Sequence, residues 1–353
     1  MRASVHDLES IESLFRTARL DPHVLREFRN AFYKKSLGPD GARRVVEHAS
    51  KAPNVRTAID RIDFHSLELR RRADSSVDGA SKLLFATETG ELIESVILRI
   101  ASGRTSLCIS SQVGCAAGCV FCATARMGLL KNLDRNEILD QVVQVQRLLH
   151  EEGRRLRNVV FMGMGEPLHN ERELFAALDV LTSPSCFEFS PGRVVVSTVG
   201  VPDAMGRLAE RYPRVRIALS LHSAVPETRR EIVPLGEKHT LEELRSTLEY
   251  VARVSEHKIM IEYLMLEGRN DSMSDGEALI EYLRDLPVHI NLIPYNPIDD
   301  APGLTGSDES TRKRFAEQLK GKGYPVTIRY SLGQDIAAAC GQLVERDRAE
   351  RSR

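Results

Sequence analysis

The chain has 353 residues, of which 42% are apolar and 28% charged, and its formal net charge is −1. No apolar run reaches the roughly 20 residues that span a bilayer, and the first ten residues lack the apolar core of a secretory signal. We therefore expect a cytoplasmic protein without a membrane segment, in which clustered cysteines indicate a metal or catalytic site before a structural disulfide.

The first 72 residues are predicted to form a small helical accessory domain. Apolar residues recur at helical spacing in LESIESLF and HVLREFRNAFY. The first 80 residues carry 15 Lys and Arg against 12 Asp and Glu, with basic runs at Lys34-Lys35, Arg43-Arg44 and 70–72. Contact with RNA is one interpretation of these runs, and an ordinary solvated surface is the other.

Residues 73–104 are predicted to form a linker followed by a β-hairpin. The linker is ADSSVDGA, residues 73–80, which is rich in small and polar residues. The hairpin is LLFATETGELIESVILRI, and we expect its turn at Thr89-Gly90.

From residue 105 to residue 343, strand-like runs alternate with helical runs, which predicts an α/β fold with a parallel sheet. About seven such units amount to a (β/α) barrel or a large part of one. The strand-like runs are TSLCIS, NVVFMG, RVVVST, VRIALSL, KIMIEYLML, HINLIPY and PVTIRY. Polar and glycine-rich patches follow several of these runs directly. Active sites of such folds lie at the carboxyl ends of the parallel strands. We therefore expect the patches to lie together at that end of the barrel, which is called its mouth below. The last ten residues, 344–353, form a charged tail.

Three cysteines follow the first of these strands with the spacing C-x3-C-x2-C, at Cys115, Cys119 and Cys122. Structural zinc needs four ligands, and the remaining cysteines Cys186 and Cys340 are distant unless the chain folds back. A four-iron cluster would keep one iron without a protein ligand, free to bind a small molecule. The spacing alone leaves three interpretations open: an iron–sulfur cluster, zinc, or a loop without metal.

The C-x3-C-x2-C spacing, with an aromatic residue before the last cysteine, resembles the radical S-adenosylmethionine (SAM) superfamily. Further motifs follow in order, and a set of ordered motifs is far more specific than any one of them. They are SSQVGC, CATARMGLLKNL, FMGMGEPL, STVG, SLHS, INLIPYNP and DIAAACGQL. Over roughly residues 85–343 the chain thereby resembles the RlmN/Cfr family of radical SAM RNA (adenine) methyltransferases.

This resemblance implies the partial (β/α) barrel of radical SAM enzymes, a [4Fe-4S] cluster and SAM as cofactors. The implied substrate is an adenine of 23S ribosomal RNA, and in some members also transfer RNA. The implied ligands of the cluster are Cys115, Cys119 and Cys122. The implied contacts of SAM are Gly165, Glu166, Ser197, Ser220, Leu221, His222 and Asn296. Without the resemblance, Glu166 would be interpreted as a carboxylate at the start of a helix, before Pro167. His222 would be interpreted as a buried histidine of the barrel.

The resemblance also implies three catalytic residues. Cys340 carries the methyl group as S-methylcysteine, and a thioether then joins it to the adenine ring. Cys108 resolves this crosslink by forming a transient disulfide with Cys340, and Glu94 is the proton acceptor. Without the resemblance, the two cysteines would be interpreted as core residues and Glu94 as an exposed strand residue. Cys186 has no role in this scheme, and we interpret it as structural.

The sequence leaves the methylated ring carbon open. MLEGRNDS and MGLLKNL are closer to the relatives that methylate C8, whereas INLIPYNP with the following APG is closer to those that methylate C2. The implied partners are RNA, a cellular electron donor and a thiol reductant, and we expect a monomer. Two alternatives remain: a radical SAM enzyme with a substrate other than RNA, and a zinc-binding protein without catalysis.

Overall fold

The computed structural model describes residues 2–50, 54–100, 102–298, 301 and 303–343. The predicted charged tail, 344–353, lies outside the described residues. In the part of the chain that is described, no helix is both long enough and apolar enough to cross a bilayer.

Ten strands form one sheet, and its helices pack against it. The strands of the described residues are β1 (Ala3–Ser4), β2 (Ile62–Asp63), β3 (Leu67–Asp74), β4 (Ala80–Thr87), β5 (Leu92–Arg99), β6 (Thr105–Cys108), β7 (Gln112–Gly114), β8 (Leu129–Asn132), β9 (Asn158–Phe161), β10 (Val194–Thr198), β11 (Arg216–Ser220), β12 (Ile259–Met265), β13 (Val288–Pro294) and β14 (Val326–Ile328). The large sheet has the order β14-β13-β12-β11-β10-β9-β6-β5-β4-β3, and β1-β2 and β7-β8 are separate pairs.

Seven strands, β6 and β9 to β14, pair in parallel, while β3 to β6 pair antiparallel. Each predicted strand-like run after residue 104 overlaps one of the seven. The predicted α/β class and partial barrel are therefore confirmed, with three antiparallel strands added at one edge.

Helices connect the parallel strands, as a right-handed β/α architecture requires. The helices are α1 (Leu8–Thr17), α2 (Pro22–Arg29), α3 (Gly38–Ala49), α4 (Val55–Ile59), α5 (Ala123–Arg126), α6 (Arg135–Glu151), α7 (Glu171–Thr182), α8 (Pro202–Arg211), α9 (Pro226–Ile232), α10 (Leu241–Val254), α11 (Met273–Tyr282) and α12 (Glu309–Gly321). Helices α6, α10 and α11 each begin with a capping box, in which the N-cap side chain and the third helical residue satisfy each other's backbone N–H.

The secondary structure of the first 80 residues differs in part from the prediction. Helices end at Ile59, and residues 67–72, predicted as helical, belong to strand β3. This strand lies at the edge of the sheet, where the charged run at 70–72 remains largely exposed. The predicted linker forms the end of β3, the turn 75–79 and the first residue of β4. The predicted hairpin is confirmed: β4 and β5 pair antiparallel, and Gly90, at a φ of +91°, donates its N–H to Thr87 O at 3.0 Å.

A single large apolar core joins the N-terminal helices to the sheet and its outer helices. In the N-terminal part, the rings of Phe28, Phe32 and Phe64 pack together with centroids 5.6–6.2 Å apart. A second, smaller apolar cluster lies at the carboxyl ends of the parallel strands, around residues 115–122, which are called the cysteine loop below.

Residues 331–343, called the C-terminal segment below, connect the two edges of the open sheet. The segment follows β14 at one edge and is bound to the β3–β4 turn at the other. Asp335 accepts hydrogen bonds from Ser75 Oγ at 2.8 Å and from the Ser76 N–H at 2.9 Å. The Gly333 N–H donates to Asp78 Oδ2 at 2.8 Å. These contacts return the chain toward β4, β5 and β6.

Asp140, on α6, ties the N-terminal part of the chain to the barrel. Its buried carboxylate accepts the N–H groups of Ser66 and Leu67 at 2.8 and 2.9 Å, and His65 Nδ1 lies 2.8 Å from its other oxygen. These bonds fix the point at which the chain turns from the small β1-β2 pair into strand β3.

We expect Asp140→Ala to lower the free energy of unfolding by about 3 kcal/mol, because it leaves buried N–H donors without an acceptor. Denaturant titration of the purified protein measures this change. The matched control is Glu151→Ala on the same helix, which removes an exposed ion pair with Arg147 and should cost less than about 0.5 kcal/mol. Equal losses for the two variants would contradict the anchoring role of Asp140.

Candidate active site

The predicted site residues gather at the carboxyl ends of the parallel strands. Cys108 is the last residue of β6, Ser220 ends β11, and Ser197 lies near the end of β10. Gly165 and Glu166 follow β9, and the loop with Asn296 follows β13. The structure thus brings together side chains that are far apart in sequence, in the way that parallel pairing predicts.

The cysteine loop is held by the short hairpin β7-β8. The Cys115 N–H donates to Gly128 O at 2.9 Å, which closes the loop at its base. Gly114 has a φ of +76°, and a Cβ at this position would lie 1.8 Å from Gly128 O. A residue with a side chain could therefore not replace Gly114 without opening the loop.

The three cysteines of the loop are close neighbours in an apolar environment. Cys115 and Cys119 are buried and Cys122 is partly exposed, and side chains from α9 and from β12 and β13 surround them. Burial raises the pKa of Cys115 to about 12 and also raises the pKa values of Cys119 and Cys122. The charge of Cys122 further raises the pKa values of Cys115 and Cys119, because the sulfurs are near one another.

This donor set fits an iron–sulfur cluster. Three thiols on one short loop are soft ligands of the kind that hold iron–sulfur clusters. One zinc ion would draw its sulfur ligands to within about 4 Å of each other, since each Zn–S bond is about 2.3 Å. A four-iron cluster instead gives every cysteine an iron of its own, so its ligands need not converge on a point.

Glu166 is buried beside the cysteine loop, and both of its carboxyl oxygens accept backbone N–H groups. Leu168 N donates to Oε1 at 2.9 Å and Val199 N donates to Oε2 at 2.8 Å. The carboxylate thereby caps the 3-10 helix that follows it, as the helix-entry interpretation predicted. Its charge also raises the pKa values of Cys115 and Cys119, which places it next to the loop. Burial raises the pKa of Glu166 itself to about 7.

Gly165 allows the backbone to pass close to Gln112. It has a φ of +102°, and a Cβ would lie 2.6 Å from the Cβ of Gln112. Gln112 Oε1 in turn accepts the Glu166 N–H at 2.8 Å. The close approach therefore fixes the orientation of the residue that follows the glycine.

The residues of STVG and SLHS lie side by side on neighbouring strands. Ser197 Oγ and Ser220 Oγ are 3.5 Å apart. Leu221 is fully buried, and His222 adopts a φ of +59°. The Leu264 N–H donates to His222 Nδ1 at 3.0 Å, so the ring proton of the neutral histidine resides on Nε2.

His222 connects this pair of strands to the cysteine loop. Its ring meets that of Phe121 edge to face, with centroids 4.8 Å apart. Burial lowers the pKa of His222 to about 3, so the ring is neutral at physiological pH. The barrel-histidine interpretation of His222 thus describes its environment correctly, and Phe121, adjacent to Cys122, adds a direct contact with the loop.

Sequence reasoning missed Arg229, which is buried on α9. Its guanidinium donates to three backbone oxygens at the ends of β10 and β11: Val199 O at 2.7 Å, Ser220 O at 3.2 Å, and Leu221 O. Burial lowers its pKa to about 10, which leaves it cationic at neutral pH. In the sequence, Arg229 is one of two adjacent arginines on a short helix, a pattern typical of a solvated surface.

Cys108 and Cys340 are neighbours in space. Burial raises the pKa of Cys108 strongly, and the charge of Cys340 raises it further. Both residues are free thiols. Cys108 is buried, whereas Cys340 is reached by solvent at a position where the surrounding protein still raises its pKa to about 11. The exposure of Cys340 contradicts the alternative interpretation as a core residue, which applied only without the resemblance.

Two hydrogen bonds hold the chain around Cys340 in place. Asn296 Nδ2 donates to Cys340 O at 3.1 Å, and the Ala123 N–H donates to Gly341 O at 2.7 Å. Asn296, which the resemblance implies as a cofactor contact, thus also positions the C-terminal segment. The second bond attaches that segment directly to the cysteine loop.

Glu94 is fully buried, in contrast to the exposure expected from its sequence context. It lies on β5, and Lys82 Nζ on β4 approaches its Oε1 to 2.9 Å. The strand register pairs Val96 with both Lys82 and Cys108. Residues paired directly across antiparallel strands, and residues two apart along a strand, share a face. Glu94, Lys82 and Cys108 therefore project from the same face of the sheet.

Cys186 lies apart from this group. It is buried close to Tyr33, with Ser185 Oγ 3.7 Å from its sulfur. This location agrees with the structural role predicted for it.

Comparison with known proteins gives consistent results. The model of the "Radical SAM superfamily" matches residues 109–283. A probable RNA methyltransferase of Rhodopirellula baltica is 52% identical over 97% of this chain and 88% of its own. A probable dual-specificity RNA methyltransferase RlmN of Thermus thermophilus is 39% identical over 90% of this chain and 88% of its own.

Two further matches extend this comparison. The ribosomal RNA large subunit methyltransferase Cfr of Staphylococcus warneri is 34% identical over 94% of this chain and 95% of its own. The crystal structure of a radical SAM methyltransferase from Sphaerobacter thermophilus superimposes with a TM-score of 0.89 at 33% identity, covering 96% of this chain and 98% of that one.

Replacement of Arg229 by methionine should reveal how much the ends of β10 and β11 depend on it. We expect a loss of about 3 kcal/mol in the free energy of unfolding, because backbone oxygens lose a charged donor in a buried place. Arg230→Met is the matched control, since Arg230 is the adjacent residue and pairs with Glu227 at the surface. It should change the free energy of unfolding by no more than about 0.5 kcal/mol. The prediction fails if chemical denaturation gives both variants the same stability.

Proposed function

This chain belongs to the RlmN/Cfr family of the radical SAM superfamily, and from this premise we propose that it methylates a ring carbon, C2 or C8, of an adenine in 23S ribosomal RNA. It is a methyltransferase that uses a [4Fe-4S] cluster and SAM. Family membership removes the zinc-binding alternative. The similarity to relatives named as RNA methyltransferases favours RNA over another substrate.

The mouth of the barrel offers separate groups for the two cofactors. Cys115, Cys119 and Cys122 would hold the cluster. The side chains and backbone that would face SAM are Gly165, Glu166, Ser197, Ser220, Leu221, His222 and Asn296. When bound, the two cofactors supply a 5′-deoxyadenosyl radical. Glu166 can bind an ammonium group because each carboxylate oxygen that accepts one N–H keeps a further lone pair.

Cys340 is the residue that carries the one-carbon unit. Its thiolate first takes a methyl group from SAM by displacement, and its exposure allows both a cofactor and an RNA base to reach the sulfur. The S-methyl group then loses a hydrogen atom, and its carbon adds to the adenine ring; the unpaired electron that this addition leaves on the ring would pass to the oxidised cluster. Protein and RNA are at that point joined by a thioether.

Cys108 and Glu94 complete the reaction. Glu94 accepts the proton of the ring carbon, and the sulfur of Cys108 attacks the sulfur of Cys340. As the S–S bond forms, the bond between the Cys340 sulfur and the carbon breaks, and its electron pair stays on the carbon. The carbon takes up the proton that the Cys108 thiol gives up, so that the adenine leaves with a methyl group. A cellular thiol reductant then reduces the disulfide and restores both thiols. The observation that carries this proposal is the proximity of Cys108 and Cys340, two thiols from opposite ends of the barrel sequence.

The environment of Cys108 suits a resolving thiol. Burial and the nearby Cys340 both raise its pKa, so the free thiol is protonated at neutral pH. A protonated thiol is a poor nucleophile, which limits premature disulfide formation with Cys340. The cycle needs an electron donor besides the thiol reductant, and we place it in the cytoplasm, where thiols are kept reduced. We further propose that the protein acts as a monomer.

The ring position and the breadth of the substrate remain part of the proposal. The identities to the RlmN and Cfr relatives, 39% and 34%, are close to each other. The same catalytic residues would serve C2 and C8, so the position depends on how the base is presented. Transfer RNA is a second candidate substrate, because the RlmN relative is described as having dual specificity.

RNA contact at the mouth is supported by Tyr330. Its side chain is 90% exposed, and it lies two residues after β14 and directly before the C-terminal segment. Aromatic side chains stack on unpaired bases, and a base that undergoes ring chemistry must leave its own stack. Arg329, the preceding residue, adds positive charge that acts on Cys340. Contact by the N-terminal basic runs stays a prediction; Arg70 and Arg72 are engaged in ion pairs there.

Cys108→Ala should trap the covalent intermediate. Without the resolving thiol, the crosslink cannot be released, and we expect RNA to co-purify covalently bound to anaerobically expressed protein. Product formation should fall about 100-fold or more. Denaturing gels with nuclease treatment detect the crosslink, and mass spectrometry of ribosomal RNA fragments identifies the nucleotide and the ring position.

Two further cysteine variants serve as controls for this experiment. Cys340→Ala should abolish both the crosslink and methyl transfer, whereas Cys186→Ala should retain both. A Cys108→Ala protein with methylated Cys340, an intact cluster and no bound RNA would argue against the proposed function.

Tyr330→Ala should weaken RNA binding by about 1 kcal/mol or more, a rise in Kd of about fivefold, because a stacking surface is lost. Tyr330→Phe should bind normally, since it retains the ring. Tyr250→Ala is the matched control, because Tyr250 lies on the outer helix α10 and contacts Glu210 rather than the mouth. Filter binding or fluorescence anisotropy with a ribosomal RNA fragment measures the Kd; an unchanged value for Tyr330→Ala would refute the stacking role.

A further inference from the structure

Lys82 makes two contacts that link separate parts of the active site. Its ammonium group lies 2.9 Å from Glu94 Oε1. The same nitrogen donates to Ala337 O at 3.3 Å, three residues before Cys340 in the C-terminal segment. The side chain of Lys82 is 11% exposed and that of Glu94 is fully buried, so the contact between them is shielded from solvent, whereas Ala337 lies at the surface.

The sheet register explains why a lysine at this position can reach both groups. Lys82 and Glu94 lie on adjacent antiparallel strands, where Lys82 pairs with Val96 and Glu94 pairs with Leu84. The two side chains are thus diagonal neighbours on one face, within reach of a long lysine. Cys108, paired with Val96 on the other side, extends this row toward the mouth.

Ala337, whose carbonyl oxygen accepts the hydrogen bond from Lys82, has an unfavourable backbone conformation. Ala337 has a φ of +50°, a left-handed conformation that costs free energy for a residue with a side chain. Such a conformation persists only where its surroundings hold it. The hydrogen bond from Lys82 helps to stabilise this conformation, together with the Ala338 N–H, which donates to Gly333 O at 2.8 Å.

We propose that Lys82 is a positioning residue for the resolution step: it keeps Glu94 ionised as the proton acceptor and ties that carboxylate to the segment that carries Cys340. This inference rests on the proposed function and adds to it a residue with no counterpart among the roles above. A fully buried carboxyl group is neutral unless a neighbouring charge compensates for its lost hydration. Lys82 provides that charge at contact distance.

The proton transfer then follows from the pair. The C–H bond at the adenine ring carbon breaks, its electron pair stays in the ring, and the proton passes to a Glu94 oxygen. Before the transfer, the ion pair holds Glu94 as an acceptor on the face of the sheet that also carries Cys108. After it, Glu94 is neutral, and the hydrogen bond from Lys82 to Ala337 O still holds the segment while Cys108 attacks.

Two steps of the cycle, methylation of Cys340 and resolution of the crosslink, distinguish a positioning role of Lys82 from a merely structural one. Methylation of Cys340 uses neither Glu94 nor a ring proton, whereas resolution of the crosslink needs both. A lysine that acted through folding alone would slow both steps together. A lysine that acts through Glu94 slows resolution and leaves methylation of Cys340 unchanged.

The test compares Lys82→Gln with the unaltered protein, both prepared anaerobically with the cluster in place. Intact-mass spectrometry measures methylation of Cys340, and denaturing gels follow formation and decay of the RNA crosslink. We expect unchanged methylation and resolution about tenfold slower, with Lys82→Arg restoring the rate because it retains the positive charge. Unchanged resolution in Lys82→Gln, or equal slowing of both steps, would overturn the inference.

Further variants guard against loss of folding. If Lys82→Gln does not fold, the double variant Lys82→Met with Glu94→Gln removes both charges and avoids an unpaired carboxylate. It should methylate Cys340 and resolve the crosslink no more slowly than Glu94→Gln alone, because Lys82 acts through Glu94; slower resolution than in Glu94→Gln would overturn the inference. Lys258→Gln is the matched control, because Lys258 precedes β12 at the end of the sheet opposite the mouth, and it should behave as the unaltered protein. Absence of Cys340 methylation in the unaltered protein would refute the proposed function itself, a result distinct from failure at Lys82.

Discussion

The proximity of Cys340 to Cys108 depends on how the C-terminal segment is held across the open edge of the sheet. The parallel strands carry the chain away from β6 to the far edge at β14. The segment then has to return over the mouth, and hydrogen bonds from Ser75, Ser76 and Asn296 fix its path. Without them, a thiol near the end of the chain would have no reason to lie beside one near the beginning of the barrel. The barrel positions Cys108 at the mouth, and the C-terminal segment brings Cys340 to it.

Most of the framework could be predicted from the sequence because it depends on local patterns. Apolar runs separated by helical segments predict parallel strands, and parallel strands bring the residues after them to one edge. Ser197 and Ser220 belong to STVG and SLHS, which end their predicted strands, and the structure has both residues at or near the ends of β10 and β11. Strand β3 was not predicted, because its charged run at 70–72 satisfies a helical pattern as well as an edge strand exposed on one side.

The features that sequence reasoning missed are those that depend on burial of a charge. Arg229 and Glu94 both belong to residue types that are seldom buried, and a single sequence gives no sign that they will be. Each is buried because a specific partner compensates for its charge: backbone oxygens for Arg229, and Lys82 for Glu94. These partners come from other strands or helices, so local pattern contains no information about them. The exposure of Cys340 also depends on the tertiary structure, because the alanines that precede it are equally common in a buried core.

Glu166 illustrates how a local role and a functional role can coincide in one side chain. As an N-cap it binds the backbone N–H of Leu168, and through its other oxygen it binds that of Val199, at the end of the next strand. The carboxylate therefore cannot rotate, and its position relative to the cysteine loop is set by the sheet. A side chain with a fixed orientation loses little conformational entropy when a ligand binds, which is the condition for a preorganised binding site. The capping contacts are thus not an alternative to cofactor binding at Glu166; they are the means by which the carboxylate is already in place for it.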